Sequence, residues 1–190
     1  MYQIGGIMDY CHVYYRIKLN ISDRKALHDE AYALLDKLLR DKLGEGLDSY
    51  GKIKTNDNSK PYFDCPDAPH FNISHTKGGI IAGIASSEIG VDIEHTRRVT
   101  PALYNKCYSE SDRTFVNKDN PDAISLIPWT YKEAYLKALG TGIKGTAMLR
   151  GIDMPSGHSD PDFSFNYFTD SNFAGCVYVT SRIPIEITRI

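Results

Sequence analysis

Three short apolar runs, Phe71 to Ser74, Gly79 to Ala85 and Ile89 to Ile93, constrain this chain more than any other feature. Each has the length of a strand and is rich in β-branched residues. The links between them carry Thr, Lys, Gly, Ser and Glu, and the pattern predicts a small antiparallel sheet. An amphipathic helix precedes it, Ile21 to Leu43, with Ser22 as its cap and Leu27, Ala31, Leu34, Leu35, Leu38 and Leu39 on one face. The polar stretch from Gly51 to Pro69 reads as loop, and the charged His95 to Pro101 as a connector. The same grammar then recurs. Helical text covers Pro101 to Lys118 and Pro121 to Leu139, and strand text covers Phe163 to Phe168 and Phe173 to Thr180. Helix then strands, twice, predicts an α+β protein of two similar lobes, 1–95 and 96–190, each a helix on a small antiparallel sheet and related by a pseudo-twofold.

A chain of 190 residues has the size of one domain or two small lobes sharing a core. With 22 basic and 24 acidic residues the net charge is −2, which argues against a nucleic-acid or membrane-surface protein. No apolar run is long enough to span a bilayer, and the first twenty residues lack the pattern of a signal peptide. Cys11, Cys65, Cys107 and Cys176 are widely spaced, without a CxxC pair, and read as free thiols of a cytoplasmic protein.

The chemistry lies in three segments. In Gly90-Val91-Asp92-Ile93-Glu94 the acids alternate with apolar residues, so on a strand Asp92 and Glu94 share a face. That face is either solvated or holds a cation between the two carboxylates. In Trp129 to Gly140 the helix text ends at Gly140. Glu133 could pair with Lys137 one turn on, or close a capping box with Thr130. Phe71-Asn72-Ile73-Ser74-His75 ends a strand with a hydroxyl and an imidazole. Adjacent strand residues face opposite ways, and no GxSxG elbow is present, so this is no hydrolase pair. The GxGxxG letters of Gly140 to Gly145 follow a helix where a dinucleotide site requires a strand.

In order, Lys60-Pro61, FNISH, GVDIE, Tyr108-Ser109 with Asp112, and WTYKEAYLKALGTG resemble the 4′-phosphopantetheinyl transferase superfamily. The likeness is to its single-chain, two-lobed branch, which activates acyl and peptidyl carrier proteins, and it runs from Lys60 to Gly142. It implies an enzyme that moves the 4′-phosphopantetheine arm of coenzyme A to a carrier serine and releases 3′,5′-ADP with Mg²⁺. Carried over, Asp92 holds the metal, with Glu94 beside it directly or through water. Glu133 either completes the metal site or acts as general base on the carrier serine, and Lys137 contacts the transferring phosphate. Lys132 takes another phosphate oxygen, and Lys60, Ser74 and His75 take the nucleotide end. Trp129 reads as packing beneath the site. Two departures stand out: Arg24, Lys25 and His28 occupy the first helix where arginines are usual, and Asp112 stands where Glu is usual. The implied partners are a transient carrier protein, met by Arg97, Arg98, Lys106 and Arg113, and coenzyme A, with the enzyme a monomer. The alternatives are a coenzyme A-binding module that has lost transfer, and a Mg²⁺-dependent phosphate-ester hydrolase.

Overall fold

The computed structural model describes residues 9–116, 122–155 and 159–190. In chain order the elements are β1 (Cys11–Ile17), α1 (Arg24–Leu43), β2 (Ile53–Thr55), β3 (Pro61–Phe63), β4 (His70–Thr76), β5 (Gly79–Ala85), β6 (Ile89–His95) and α2 (Pro101–Cys107). There follow α3 (Ile127–Leu139), α4 (Thr146–Arg150), β7 (Ser159–Asp160), β8 (Phe163–Asp170), β9 (Phe173–Val179) and β10 (Glu186–Arg189). The fold is mixed α and β, with two four-stranded sheets ordered β10-β1-β5-β4 and β6-β9-β8-β7 and a small β2-β3 hairpin.

Burial explains the layering. All seven residues of β5 and all seven of β9 are buried, as expected of strands covered on both faces. On one face of the first sheet, Tyr14, Phe71, Ile80, Ala82 and Ile84 pack under the leucines of α1. On its other face, Val13, Tyr15 and Ile81 meet Val91, Ile93, Val177 and Val179 of the second sheet. The far side of that sheet carries Cys176 and Tyr178 against Tyr131, Ala134 and Ala138 of α3. The order is therefore helix, sheet, sheet, helix.

Several expectations need correction. The cap of α1 is Asp23, whose Oδ1 accepts the Ala26 N–H at 2.8 Å, and the helix starts at Arg24 instead of Ile21. The helix expected from Pro101 ends at Cys107, and a 3-10 turn covers Asp112–Phe115; residues 117 and 118 lie outside the described residues. Pro121, where the next helix was expected to begin, also lies outside them, and α3 begins at Ile127 after a 3-10 turn. The polar stretch before Pro69 contains the β2–β3 hairpin. Most consequentially, β6 does not join β4 and β5 in one sheet; it pairs antiparallel with β9, Asp92 opposite Cys176. The sheets thus part between β5 and β6, ahead of the division at 95/96, and β10 returns from the C-terminal half to lie parallel to β1. The segments β1, α1, β4, β5 and β6, α3, β8, β9 share the same pairing order.

Candidate active site

β4 and β6 are edge strands of different sheets, and the cleft opens where they meet. The Val91 N–H and C=O, unused by β9, are satisfied across this junction by side chains. Asn72 Oδ1 accepts the N–H at 2.9 Å, and Lys137 Nζ donates to the carbonyl at 3.2 Å. Gly90, Asp92 and Glu94 face α3, opposite to Val91 and Ile93. A Cβ on Gly90 would overlap the Ala134 carbonyl and the Ala138 nitrogen, so glycine is what lets α3 lie directly on β6. That approach carries Glu133 and Lys137 over the strand.

The result is a cleft of about 620 Å³ whose walls include Asp92, Glu94, Glu133, Lys137, Ser74 and His75. The three acids expected to converge do share it. Asp92 is only 5% exposed, which removes the solvated-face reading for that residue. Its Oδ1 accepts from Lys137 Nζ at 2.6 Å and from Ser74 Oγ at 2.9 Å, whereas its Oδ2 is buried with no hydrogen-bond partner. Burial first, then the charges of Asp92 and Glu94, pushes the Glu133 pKa up to about 7, while Lys137 pulls it down. Burial and Asp92 likewise raise Glu94. Both structural alternatives for Glu133 fall away. Lys137 makes its ion pair with Asp92, and Thr130 lies inside the helix, its hydroxyl donating to the Ile127 carbonyl at 3.0 Å.

The fit to a cation follows from these facts. An orphaned carboxylate oxygen beside two carboxyls whose pKa values burial and mutual repulsion push upward is a site short of positive charge. Among the described residues, no group of three or more His, Cys, Asp or Glu side chains is arranged to hold a metal by itself. Mg²⁺ takes one or two carboxylates, and phosphate and water complete its shell, so these acids suit an ion that arrives with a phosphorylated ligand.

The far end of the cleft is basic. Arg24, His28 and Tyr32 line it from successive turns of α1, and the His28 and His75 rings meet edge to face at 5.8 Å. Burial, and then the charges of His28, Arg24 and Lys137, lower the His75 pKa. Arg24 and His28 could not be placed from sequence. Their signal was the i,i+4 spacing on the first turns of the helix, apart from its leucine face.

Two lysines behave differently from expectation. Lys60 lines the cleft, but its ammonium is engaged by Glu88 and by the Ala138 carbonyl at 2.7 Å. With Asn56 and Asn58, which donate to the Gly140 carbonyl, it clamps the β2–β3 hairpin onto the C-terminus of α3. Lys132 is a correction. It is fully buried, paired with Asp112 at 2.7 Å and bonded to the Leu149 and Ile152 carbonyls, and it does not line the cleft. One residue before Glu133 on a helix, it points about 100° away from it. Asp112 accordingly orders the chain after α2, also accepting the Ser109 N–H at 2.8 Å. Trp129, read as packing alone, also donates its indole N–H to Glu94 Oε1 at 3.0 Å.

Glu133 also has a signature in stability. Folding raises its pKa, so the folded state favours its protonated form. The contribution to stability is complete below about pH 4.5 and is lost as pH rises through about 7. Without metal, Glu133→Gln is therefore expected to stabilise the protein at pH 8 by about 1–3 kcal/mol, with the gain fading towards pH 4.5. Thermal melts across that range check it.

The family described as 4′-phosphopantetheinyl transferase superfamily matches residues 88–179. The chain is 33% identical over 154 residues to 4′-phosphopantetheinyl transferase Sfp of Bacillus subtilis (strain 168), covering 73% of this chain and 68% of that one. A second Bacillus subtilis 4′-phosphopantetheinyl transferase, ffp, is 34% identical over 141 residues, covering 66% and 62%. The transferase gsp of Aneurinibacillus migulanus is 29% identical over 94 residues, spanning 39% of its own length. A third of the residues shared with Sfp across two thirds of each protein, with the family match running through β6 and α3, decides the relationship: the chain belongs to the 4′-phosphopantetheinyl transferase superfamily.

Proposed function

We propose that this protein transfers the 4′-phosphopantetheine arm of coenzyme A to a serine of an acyl or peptidyl carrier protein, with Mg²⁺, and releases 3′,5′-ADP. One observation carries the metal-dependent part: the buried, unpartnered Oδ2 of Asp92, in a cleft that also holds Glu94 and Glu133. When bound there, Mg²⁺ would neutralise the diphosphate and polarise it for attack. Asp92 and Glu133 would hold it, with Glu94 beside them directly or through water.

The remaining roles belong to the chain itself. Glu133 stands in the cleft beside Asp92 and would take the proton from the carrier hydroxyl as it attacks phosphorus. Lys137 lies at the cleft floor on Asp92 and would turn to the phosphate as negative charge builds on the leaving group. Arg24 gives the opposite end a positive charge, and the His28 and His75 rings beside it offer hydrogen-bonding nitrogens, for the nucleotide phosphate of coenzyme A. We also propose a pseudo-twofold between the two halves, supported by their common pairing order. Two sheets built from one chain support a monomer, and four unpaired cysteines support the cytoplasm.

The test is the mass of a purified apo carrier protein incubated with enzyme, coenzyme A and Mg²⁺. A gain of one phosphopantetheine supports the proposal. An unchanged carrier with consumed coenzyme A would identify a hydrolase, and an unchanged carrier with intact coenzyme A a binding module. Lys137→Ala is expected to lower kcat roughly 10²-fold while changing coenzyme A affinity less than about fivefold. A defect confined to binding would contradict the leaving-group role.

A further inference from the structure

Glu94 is held from two sides on a single oxygen. Its Oε1 accepts the indole N–H of Trp129 at 3.0 Å, and the Arg97 guanidinium stands 3.8 Å from the same atom. Among the described residues no hydrogen bond engages Oε2. Trp129 lies on α3 one turn before Glu133, and its ring packs beside Leu103, Tyr108 and Leu136, so the donor is fixed in place. Trp129, Glu133 and Lys137 follow at i, i+4 and i+8, a span of about 12 Å on the helix. Asp92 and Glu94 are about 7 Å apart on the strand beneath. The outer two helix residues thus reach inward, Lys137 to Asp92 and Trp129 to Glu94, and bracket Glu133.

We infer that Trp129 is a positioning residue, whose indole N–H turns Glu94 so that Oε2 faces the cation site shared with Asp92 and Glu133. The inference rests on the metal reading given above. Losing a hydrogen bond that orients a metal-binding carboxylate costs about 10–100-fold in metal affinity or activity. Trp129 is also the only tryptophan in the chain, so its emission reports directly on the charge at Glu94.

Two measurements on the intact protein test this. In Trp129→Phe, which keeps an aromatic ring and deletes the donor, the Mg²⁺ concentration for half-maximal carrier loading should rise about tenfold. At saturating Mg²⁺, kcat and the KM for coenzyme A should stay within about twofold. A lower kcat at an unchanged Mg²⁺ requirement, or no change at all, would overturn the inference. In the second measurement, Mg²⁺ titrated into wild-type protein saturated with coenzyme A should shift the tryptophan emission, and Glu94→Gln should abolish that shift. This arm decides the matter even if Trp129→Phe fails to fold. A wild-type emission indifferent to Mg²⁺, in an enzyme whose loading requires Mg²⁺, would overturn the inference and leave the metal reading standing. Wild-type loading that proceeds equally with EDTA would remove the metal reading and the inference together.

Discussion

Asp92→Ala is expected to lower carrier loading by roughly 10³-fold or more while the protein stays folded, because this side chain serves two functions at one point. Its Oδ2 is the oxygen left without a protein partner, and its Oδ1 anchors Lys137 and Ser74. Removing it would take a carboxylate from the proposed cation site and leave the Lys137 ammonium without its ion partner. Stability should change far less than activity. The lost Lys137 pair is offset by relief of the repulsion that Asp92 exerts on Glu133 and Glu94. The Glu133 pKa should fall below about 7 in this variant, since one of the charges raising it is gone. Single-turnover loading at saturating coenzyme A and Mg²⁺, with a thermal melt beside it, measures both effects. Near-normal turnover would contradict the assignment.

The second large effect should come from a residue with no functional group. A methyl on Gly90 collides with backbone atoms of α3, the Ala134 carbonyl and the Ala138 nitrogen, and neither can rotate aside as a side chain would. Gly90→Ala must therefore push the helix off the strand. We expect a loss of about 3 kcal/mol, at the upper end for overpacking, and a fall in Tm of about 6–12 °C. Activity should fall further than stability, because displacing catalytic groups by about 1 Å costs roughly 10²-fold. Differential scanning calorimetry and loading kinetics on the folded variant separate the two. A wild-type Tm with wild-type activity would show that the close packing of α3 on β6 does not position the site.

These two residues also show what was readable in the sequence. Asp92, Glu94, Glu133 and Lys137 stand in motifs with the periodicity of one strand and one helix, and the structure brings them into a single cleft. The motif could not tell Lys132 from Lys137, because both are helical lysines beside acids. Only the packing of α3 sends one to Asp112 in the interior and the other to Asp92. Strand runs were legible where burial on both faces makes them continuously apolar, as in β5 and β9. They were not legible in β2, whose residues are all exposed, or in β10, a four-residue edge strand of mixed burial. The sheet to which β6 belongs depends on pairing with β9, 78 to 90 residues further on, and no local pattern records such a partner.

In the proposed reaction Asp92 and Glu133 meet coenzyme A around one divalent ion. A crystal structure with coenzyme A and Mn²⁺ in place of Mg²⁺, read by the anomalous signal of manganese, tests it most directly. One strong peak is expected in the cleft between β6 and α3, within bonding distance of Asp92 Oδ2, a Glu133 oxygen and the coenzyme A diphosphate. Coenzyme A bound in the cleft with its diphosphate far from these acids, or manganese bound away from Asp92, would contradict it.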